Sequence, residues 1–250
     1  MLKFVSLLTL LVAGVATSQA QFTNLQLLGS NATINLRETT PRGVTSVTGF
    51  EASNNTTLGR DNAISATGLG DSWSQSGRAR QQVTGGSSGF EATSSVRLDQ
   101  TYVRGKNASN GIASARGSLE FTLTKVGDYG LTLRANQAQT GVPAGGLFPA
   151  LDSYATLFRT DDPNGTPILQ FDLSEAGNLT KSGTARLQPG TYSVLFGSAV
   201  SRTWTDLTSP DRKTPYFGQI DSTLSLNAVP APSALTVFGL GGVVFLRRRR

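Results

Sequence analysis

Residues 117–133 read GSLEFTLTKVGDYGLTL, and the order of their side chains is enough to choose a fold class. Leu119, Phe121 and Leu123 alternate with polar neighbours, as do Tyr129, Leu131 and Leu133 after a break at Val126-Gly127-Asp128. Successive side chains of a strand point to opposite faces, so alternation over this length describes strands with one face buried. The break carries turn chemistry. Working outward, similar runs occur at Tyr154–Phe158, Ile168–Leu173, Tyr192–Val200 and Ile220–Leu226. Asp161-Asp162-Pro163-Asn164-Gly165 separates the third run from the fourth, and Gln188-Pro189-Gly190 leads into the fifth. No stretch between the termini sustains a capped helical stripe. The spacing predicts an all-β body, an antiparallel β-sandwich of jelly-roll-like type.

Two joints share the form Gly-x-Tyr, at Gly127-Asp128-Tyr129 and Gly190-Thr191-Tyr192. In sandwiches a Tyr just past such a turn hydrogen-bonds back to the loop while its ring fills the core, so both tyrosines are expected buried at corners. Residues 42–116 differ, being rich in Ser, Thr, Asn, Gln and Gly. They are expected to form a polar, loop-rich part of the same sandwich, with a loosely ordered first lobe as the alternative. Gly49-Phe50-Glu51-Ala52-Ser53 returns as Gly89-Phe90-Glu91-Ala92-Thr93, but two copies do not make a solenoid.

Composition excludes several function classes. The 250 residues include no Cys and no His, and the single Met is Met1, which removes most thiol, metal-site and histidine-triad chemistry. A net charge of +6 suggests nucleic acid until the charges are located. Five of the 22 basic residues are Lys3 and Arg247 to Arg250, leaving 17 against 16 acids elsewhere. The basicity belongs to the termini, and no nucleic-acid partner is expected.

Residues 1–20 have the layout of a secretory signal peptide. Lys3 supplies the positive region, Phe4 to Val15 the apolar helix, and Ser18-Gln19-Ala20 a small-x-small site that predicts cleavage between Ala20 and Gln21. The body then spans 21–228. At the other end Val229-Pro230-Ala231-Pro232-Ser233 precedes the apolar run Ala234 to Leu246 and then Arg247-Arg248-Arg249-Arg250. Thirteen helical residues reach about 20 Å, short of the roughly 30 Å hydrocarbon core, so this transmembrane helix would be a marginal span pinned by its arginines on the cytoplasmic side.

Residues 229–250 resemble the PEP-CTERM sorting tail of exported bacterial proteins, with Pro230 and Pro232, the apolar run with Gly239, Gly241 and Gly242, and the terminal arginines in the matching places. Ala231 stands where that family usually has Glu. The resemblance implies a membrane-embedded exosortase-type processing enzyme as partner, inner-membrane transit, a final place at the cell surface or in the extracellular matrix, and envelopes that make extracellular polysaccharide. It covers about a tenth of the chain.

Catalytic patterns in the body were tested against their chemistry. Gly85-Gly86-Ser87-Ser88-Gly89 matches the Gly-x-Ser-x-Gly nucleophile elbow, but there is no His to act as base and strand follows rather than helix. No Lys has a Ser three places before it. Asp161, Asp162 and Asn164 could offer oxygen ligands to calcium, yet the twelve-residue loop with its distal Glu is absent, and a hairpin turn fits better. Trp73, Tyr102, Trp204, Tyr216 and Phe217 are either core or a platform for stacking on sugar rings. No catalytic residue, metal or cofactor is assigned. The expectation is an exported, non-enzymatic surface or matrix protein with a polysaccharide as candidate ligand; the alternative is an exported carbohydrate-active enzyme using two carboxylates.

Overall fold

A computed structural model describes residues 22–40, 43–53, 61–70, 73–103, 108–141, 150–204 and 213–229, with backbone alone for 38–40, 43–53, 61–70, 73–74, 102–103, 108–109, 150, 204 and 213–214. The signal helix expected over 1–20, the cleavage site at Ala20 and Gln21, and the tail from Pro230 onward lie outside the described residues.

Twelve strands follow one another with no helix among the described residues: β1 (Phe22–Thr40), β2 (Gly43–Ser53), β3 (Asp61–Gly70), β4 (Trp73–Gly86), β5 (Gly89–Val103), β6 (Ala108–Leu123), β7 (Gly127–Thr140), β8 (Ala150–Arg159), β9 (Pro167–Leu173), β10 (Gly177–Leu187), β11 (Gly190–Trp204) and β12 (Lys213–Ala228). They form two six-stranded sheets, ordered β2-β1-β6-β11-β8-β9 and β10-β7-β12-β5-β4-β3. Every pairing is antiparallel, and the sheets face each other as a sandwich. The all-β antiparallel sandwich expected from the alternating runs is therefore present.

The run that decides the fold is split between the sheets. Leu119, Phe121 and Leu123 lie on β6 in the first sheet, and Tyr129, Leu131 and Leu133 on β7 in the second, all buried. β6 has both edges occupied, by β1 and β11, so the Val126–Asp128 joint has to cross the sandwich instead of closing a hairpin. Asp161 to Gly165 does close one, between β8 and β9.

Phe22, Phe121, Tyr129 and Tyr192 form an aromatic cluster at one end of the core, with centroid separations of 4.9 Å for Phe22–Phe121, 5.3 Å for Phe22–Tyr129 and 5.7 Å for Phe121–Tyr192. The other half of the interior mixes buried amides and hydroxyls with apolar side chains such as Ile34, Leu36, Leu98 and Ile220. On β4 and β5 the inward positions are Gln75, Ala79, Gln81 and Val83, and Ala92, Ser94, Val96, Leu98 and Gln100. Buried amides and hydroxyls are affordable only when paired. Here Ser30 Oγ donates to Gln81 Oε1 at 2.6 Å, and Gln100 Nε2 donates to Gln75 Oε1 at 3.1 Å. A second string crosses between the sheets through Gln137, Ser153, Ser198 and Ser222, the last two hydroxyls 2.7 Å apart. β4, β5 and the first half of β6 are regular strands whose inward places hold many Gln, Ser, Ala and Gly among a few Val, Leu and Phe, and β2 and β3 each lie at one edge of their sheets. The two Gly-Phe-Glu-Ala copies occupy unlike places: the end of outer β2 in one sheet and the start of inner β5 in the other.

Candidate functional site

Period two sorts the aromatic residues expected to act together. Tyr216 and Phe217 are consecutive on β12, so they face opposite sides of the second sheet. Tyr216 points inward and is 2% exposed, whereas Phe217 is half-buried on the outer face. They cannot form one platform. Trp73 and Tyr102 are register partners at this end of β4 and β5; their side chains, and that of Trp204, lie outside the described residues.

The outer face around Phe217 is built in rows by the register of β4, β5, β12 and β7. One row runs Ser76, Asp99, Phe217 and Thr140. The next runs Arg78, Arg97, Gln219 and Ala138, the third Arg80, Ser95, Asp221 and Asn136, and the fourth Gln82, Thr93, Thr223 and Arg134. Arg97 lies over Phe217, its guanidinium carbon 4.8 Å from the ring centroid. The same guanidinium grips Asp99 with two hydrogen bonds, Nε to Oδ2 at 2.7 Å and Nη2 to Oδ1 at 3.0 Å. Asp221 accepts from Ser95 Oγ and Gln219 Nε2, both at 2.6 Å. These pairings hold planar polar groups still around a partly open ring.

A cleft of about 410 Å³ opens beside Phe217, lined among others by Asp99, Gln100, Thr140, Pro215 and Tyr216. Gln100 Oε1 and the Tyr216 hydroxyl are buried there with no hydrogen-bond partner among the described residues. Burial pushes the Tyr216 hydroxyl up to about 12, against the opposing pull of Arg202, whose guanidinium carbon is 4.3 Å from the ring centroid. Gly218 makes room for this arrangement, because a Cβ there would run into the Tyr216 hydroxyl and Val200. A smaller hollow of about 280 Å³ lies further along the same face, between Arg80, Thr93, Ser95, Asp221 and Thr223.

Carboxylates also gather on the outer face of the first sheet. Tyr154 is the register partner of both Gly197 and Asp172, Gly197 is also that of Arg116, and Asp152 lies two residues before Tyr154 on the same face. Burial raises the Asp152 carboxyl above its ordinary value, the charge of Asp172 adds to the shift, and Arg116 opposes it. Nothing in the sequence marked this pair, because its members sit on different strands.

The remaining motifs have structural roles. Ser87 and Ser88 form the two-residue tip of the β4–β5 hairpin, whose last pair is Gly86–Gly89. Ser87 O accepts from Phe22 N at 2.9 Å, and Ser88 O from Ala228 N at 3.3 Å. A Cβ on Gly89 would collide with Leu226 O, so this Gly-x-Ser-x-Gly is a clasp around the first and last described strands. Asp162 spends both carboxylate oxygens on its own turn, accepting from Asn164 N at 2.9 Å and Thr166 N at 3.0 Å. Asp161 is 2.7 Å from Arg159 Nε. No cluster of three metal-ligating side chains exists among the described residues. Of the sorting motif only Val229 is described, and its N–H donates to Asp128 O at 2.8 Å.

Sequence reasoning passed over Arg97, Asp99, Gln219 and Asp221. Their signal was the polar half of an alternation, Glu91-Thr93-Ser95-Arg97-Asp99 on β5 and Phe217-Gln219-Asp221-Thr223 on β12, visible once the strands are placed.

The chain matches no protein-family model and no curated protein. Among solved structures it is similar to a cowpea mosaic virus top-component particle protein, with 8% identity over 84% of this chain and 86% of that one and a TM-score of 0.27. It is also similar to the CBM22-1 xylan-binding domain of Paenibacillus barcinonensis Xyn10C, with 14% identity over 70% of this chain and 98% of that one and a TM-score of 0.24. A third is a family 61 carbohydrate-binding module in complex with β-1,4-galactotriose, with 9% identity over 52% and 70% and a TM-score of 0.22. Likenesses this weak do not extend to a ligand or an activity.

Proposed function

We propose that this is an exported, non-enzymatic cell-surface or extracellular-matrix protein that holds polysaccharide on the outer face of its second sheet, after a C-terminal tail has sorted it to that place. The observation that carries the binding reading is the Phe217 site: one face of an aromatic ring, fixed by Arg97, beside planar polar side chains that are themselves fixed. Sugar rings present an axial C–H face that packs on an aromatic and an equatorial rim of hydroxyls that pairs with carboxylates and amides. The strand connections that pass between the sheets support jelly-roll-like wrapping. The sorting reading is supported by the limits of the body: Phe22 is core and follows Gln21 directly, while β12 ends at Ala228, where the tail motif begins. Trimming at both expected sites removes nothing that the described core uses.

The binding test is affinity electrophoresis of the exported protein in gels containing soluble polysaccharides. The intact protein is retarded, and Phe217→Ala migrates freely with an unchanged melting temperature. Equal retardation of both would refute the site. The sorting test is terminal mass spectrometry, which finds Gln21 first and a last residue between Val229 and Ser233 when an exosortase-type enzyme is present. Recovery of an intact Arg250 in its presence would refute that part.

The second reading, a carbohydrate-active enzyme, has Asp152 and Asp172 as its best pair, because burial and then the nearby charge of Asp172 raise the cost of ionising Asp152. Asp152→Asn would then abolish hydrolysis of a polysaccharide that the native protein cleaves.

A further inference from the structure

We infer that the body carries a second saccharide site, centred on Tyr154 on the outer face of its first sheet, and that with both faces occupied it ties two uncharged polysaccharide chains together; the inference rests on the binding reading above. Period two puts Tyr154 outside, because Ser153, Ala155 and Leu157 on the same strand are inward and buried. Its register partner on β11 is Gly197. A glycine inside a strand weakens it and marks a close approach. Here the approach is made by side chains: a Cβ on Gly197 would stand 3.1 Å from Tyr154 Cε1 and 3.0 Å from Arg116 Cγ. The half-buried ring thus leans from β8 across β11, and the stem of Arg116 meets it from β6. The glycine keeps this apolar floor low and open on its far side.

Polar groups surround the ring. Asp172 is its partner on β9, and Asp152 precedes it on the same face. Burial raises the Tyr154 hydroxyl above its ordinary value, with Arg116 opposing and Asp152 adding, so these groups feel one another as Asp152 feels Asp172. No hydrogen bond or ion pair joins the four side chains to one another among the described residues. Lys181 Nζ comes to the same place, donating to Asp172 O at 2.7 Å. Two carboxylates with two cations give no strong field of one sign. They offer acceptors and donors to a hydroxyl rim whose C–H face packs on the ring.

The two rings look in opposite directions. Ser153, next to Tyr154, is linked through Ser198 to Ser222 on β12 by contacts of 3.1 and 2.7 Å. Phe217 lies five residues from Ser222, about 17 Å along the strand, on the far side of a sheet about 10 Å away. A stiff sugar chain on one face cannot turn round the sandwich to reach the other, so the sites take different chains. Tyr154 on its open face is a weaker hold than Phe217 with its cleft, and it engages where chains are crowded.

The test gives the full exported protein neutral β-glucan and β-galactan, each dissolved in gels and coated on beads. The native protein is retarded in the gel and clusters the beads. Tyr154→Ala is still retarded, but clustering needs more protein by about tenfold or more. Tyr154→Phe, which keeps the ring, clusters beads as the native protein does. Asp172→Ala, an exposed change outside the core, loses clustering with an unchanged melting temperature, which separates loss of a site from damage to the fold. Retardation without clustering by the native protein overturns the second site and leaves the binding reading standing, as does undiminished clustering by Tyr154→Ala. Neither retardation nor clustering sinks both. Shortened chains released from the beads would make Asp152 and Asp172 a hydrolytic pair and also overturn the inference.

Discussion

The two Gly-x-Tyr joints show what one residue's environment adds to its pattern. Both rings are buried, Tyr129 fully and Tyr192 to within 2%, as the joints led us to expect. Their hydroxyls differ. Tyr192 donates to Gln188 O at 2.8 Å, four residues back, which completes the corner, while the Tyr129 hydroxyl is buried without a partner among the described residues. A paired hydroxyl contributes about 1 kcal/mol, and an unpaired buried one is a cost. Tyr192→Phe should therefore lower stability by about 1 kcal/mol, and Tyr129→Phe should leave it unchanged or raise it. Urea melts of the two variants check this; equal losses would contradict the assignment. A Tyr after a turn was readable as buried from sequence. Which hydroxyl finds a carbonyl was not, because the loop carrying Gln188 offers its carbonyl to Tyr192, whereas Tyr129, edge-on to Phe22, has no such carbonyl in reach among the described residues.

At the scale of elements, legibility followed the inward side chains. The runs at 119–123, 129–133, 154–158, 168–173, 192–200 and 220–226 were readable because bulky apolar residues occupy most second places. β4 and β5 were not, since Gln75, Gln81, Ser94 and Gln100 fill inward places that a hydrophobic pattern cannot mark. Only the partner strands reveal what they bond to, Gln81 pairing with Ser30 and Ser94 and Gln100 Nε2 with Gln75. The functional rows were hidden for the same reason, each being assembled from four strands that lie far apart in sequence. Turn chemistry was better preserved. Asp162 folds its hairpin by accepting two backbone N–H groups, which hold its carboxyl below the ordinary value of 3.8. The sign follows: a depressed folded-state value contributes stability that is present above the unfolded value and lost as pH falls through the lower folded one. Protection of the Asn164 and Thr166 amides, corrected for intrinsic exchange, should thus decline in the native hairpin only in the acid window below the ordinary value of 3.8. In Asp162→Ala it should be low and flat across that window, as read by amide exchange. Acid-independent protection in the native protein would mean that the carboxylate does not organise the turn.

On the scale of the whole molecule, the chain enters and leaves at one end and the candidate site opens toward the other. Phe22 and Ala228 are both held by the Ser87-Ser88 tip, and Val229 is held by Asp128. Phe217 lies eleven residues before Ala228 on β12, about 37 Å along a straight strand. A body held by residues after Val229 would thus present its cleft away from the attachment. Phe22 contacts Phe121 and Tyr129 inside the core, so removal of a leader at the proposed site after Ala20 would leave the first described strand whole. A chain trimmed to 21–229 should unfold at the same urea concentration as the untrimmed body. Phe22→Ala in that trimmed chain should cost about 3–5 kcal/mol, the range for removing a buried aromatic and leaving a cavity. Val229→Ala should cost little, because its side chain is 44% exposed and its contribution is a backbone N–H that alanine keeps. If trimming to 21–229 alone destabilised the protein by several kcal/mol, residues beyond the clasp would have to belong to the folded body, and a removable tail starting at Pro230 would be excluded.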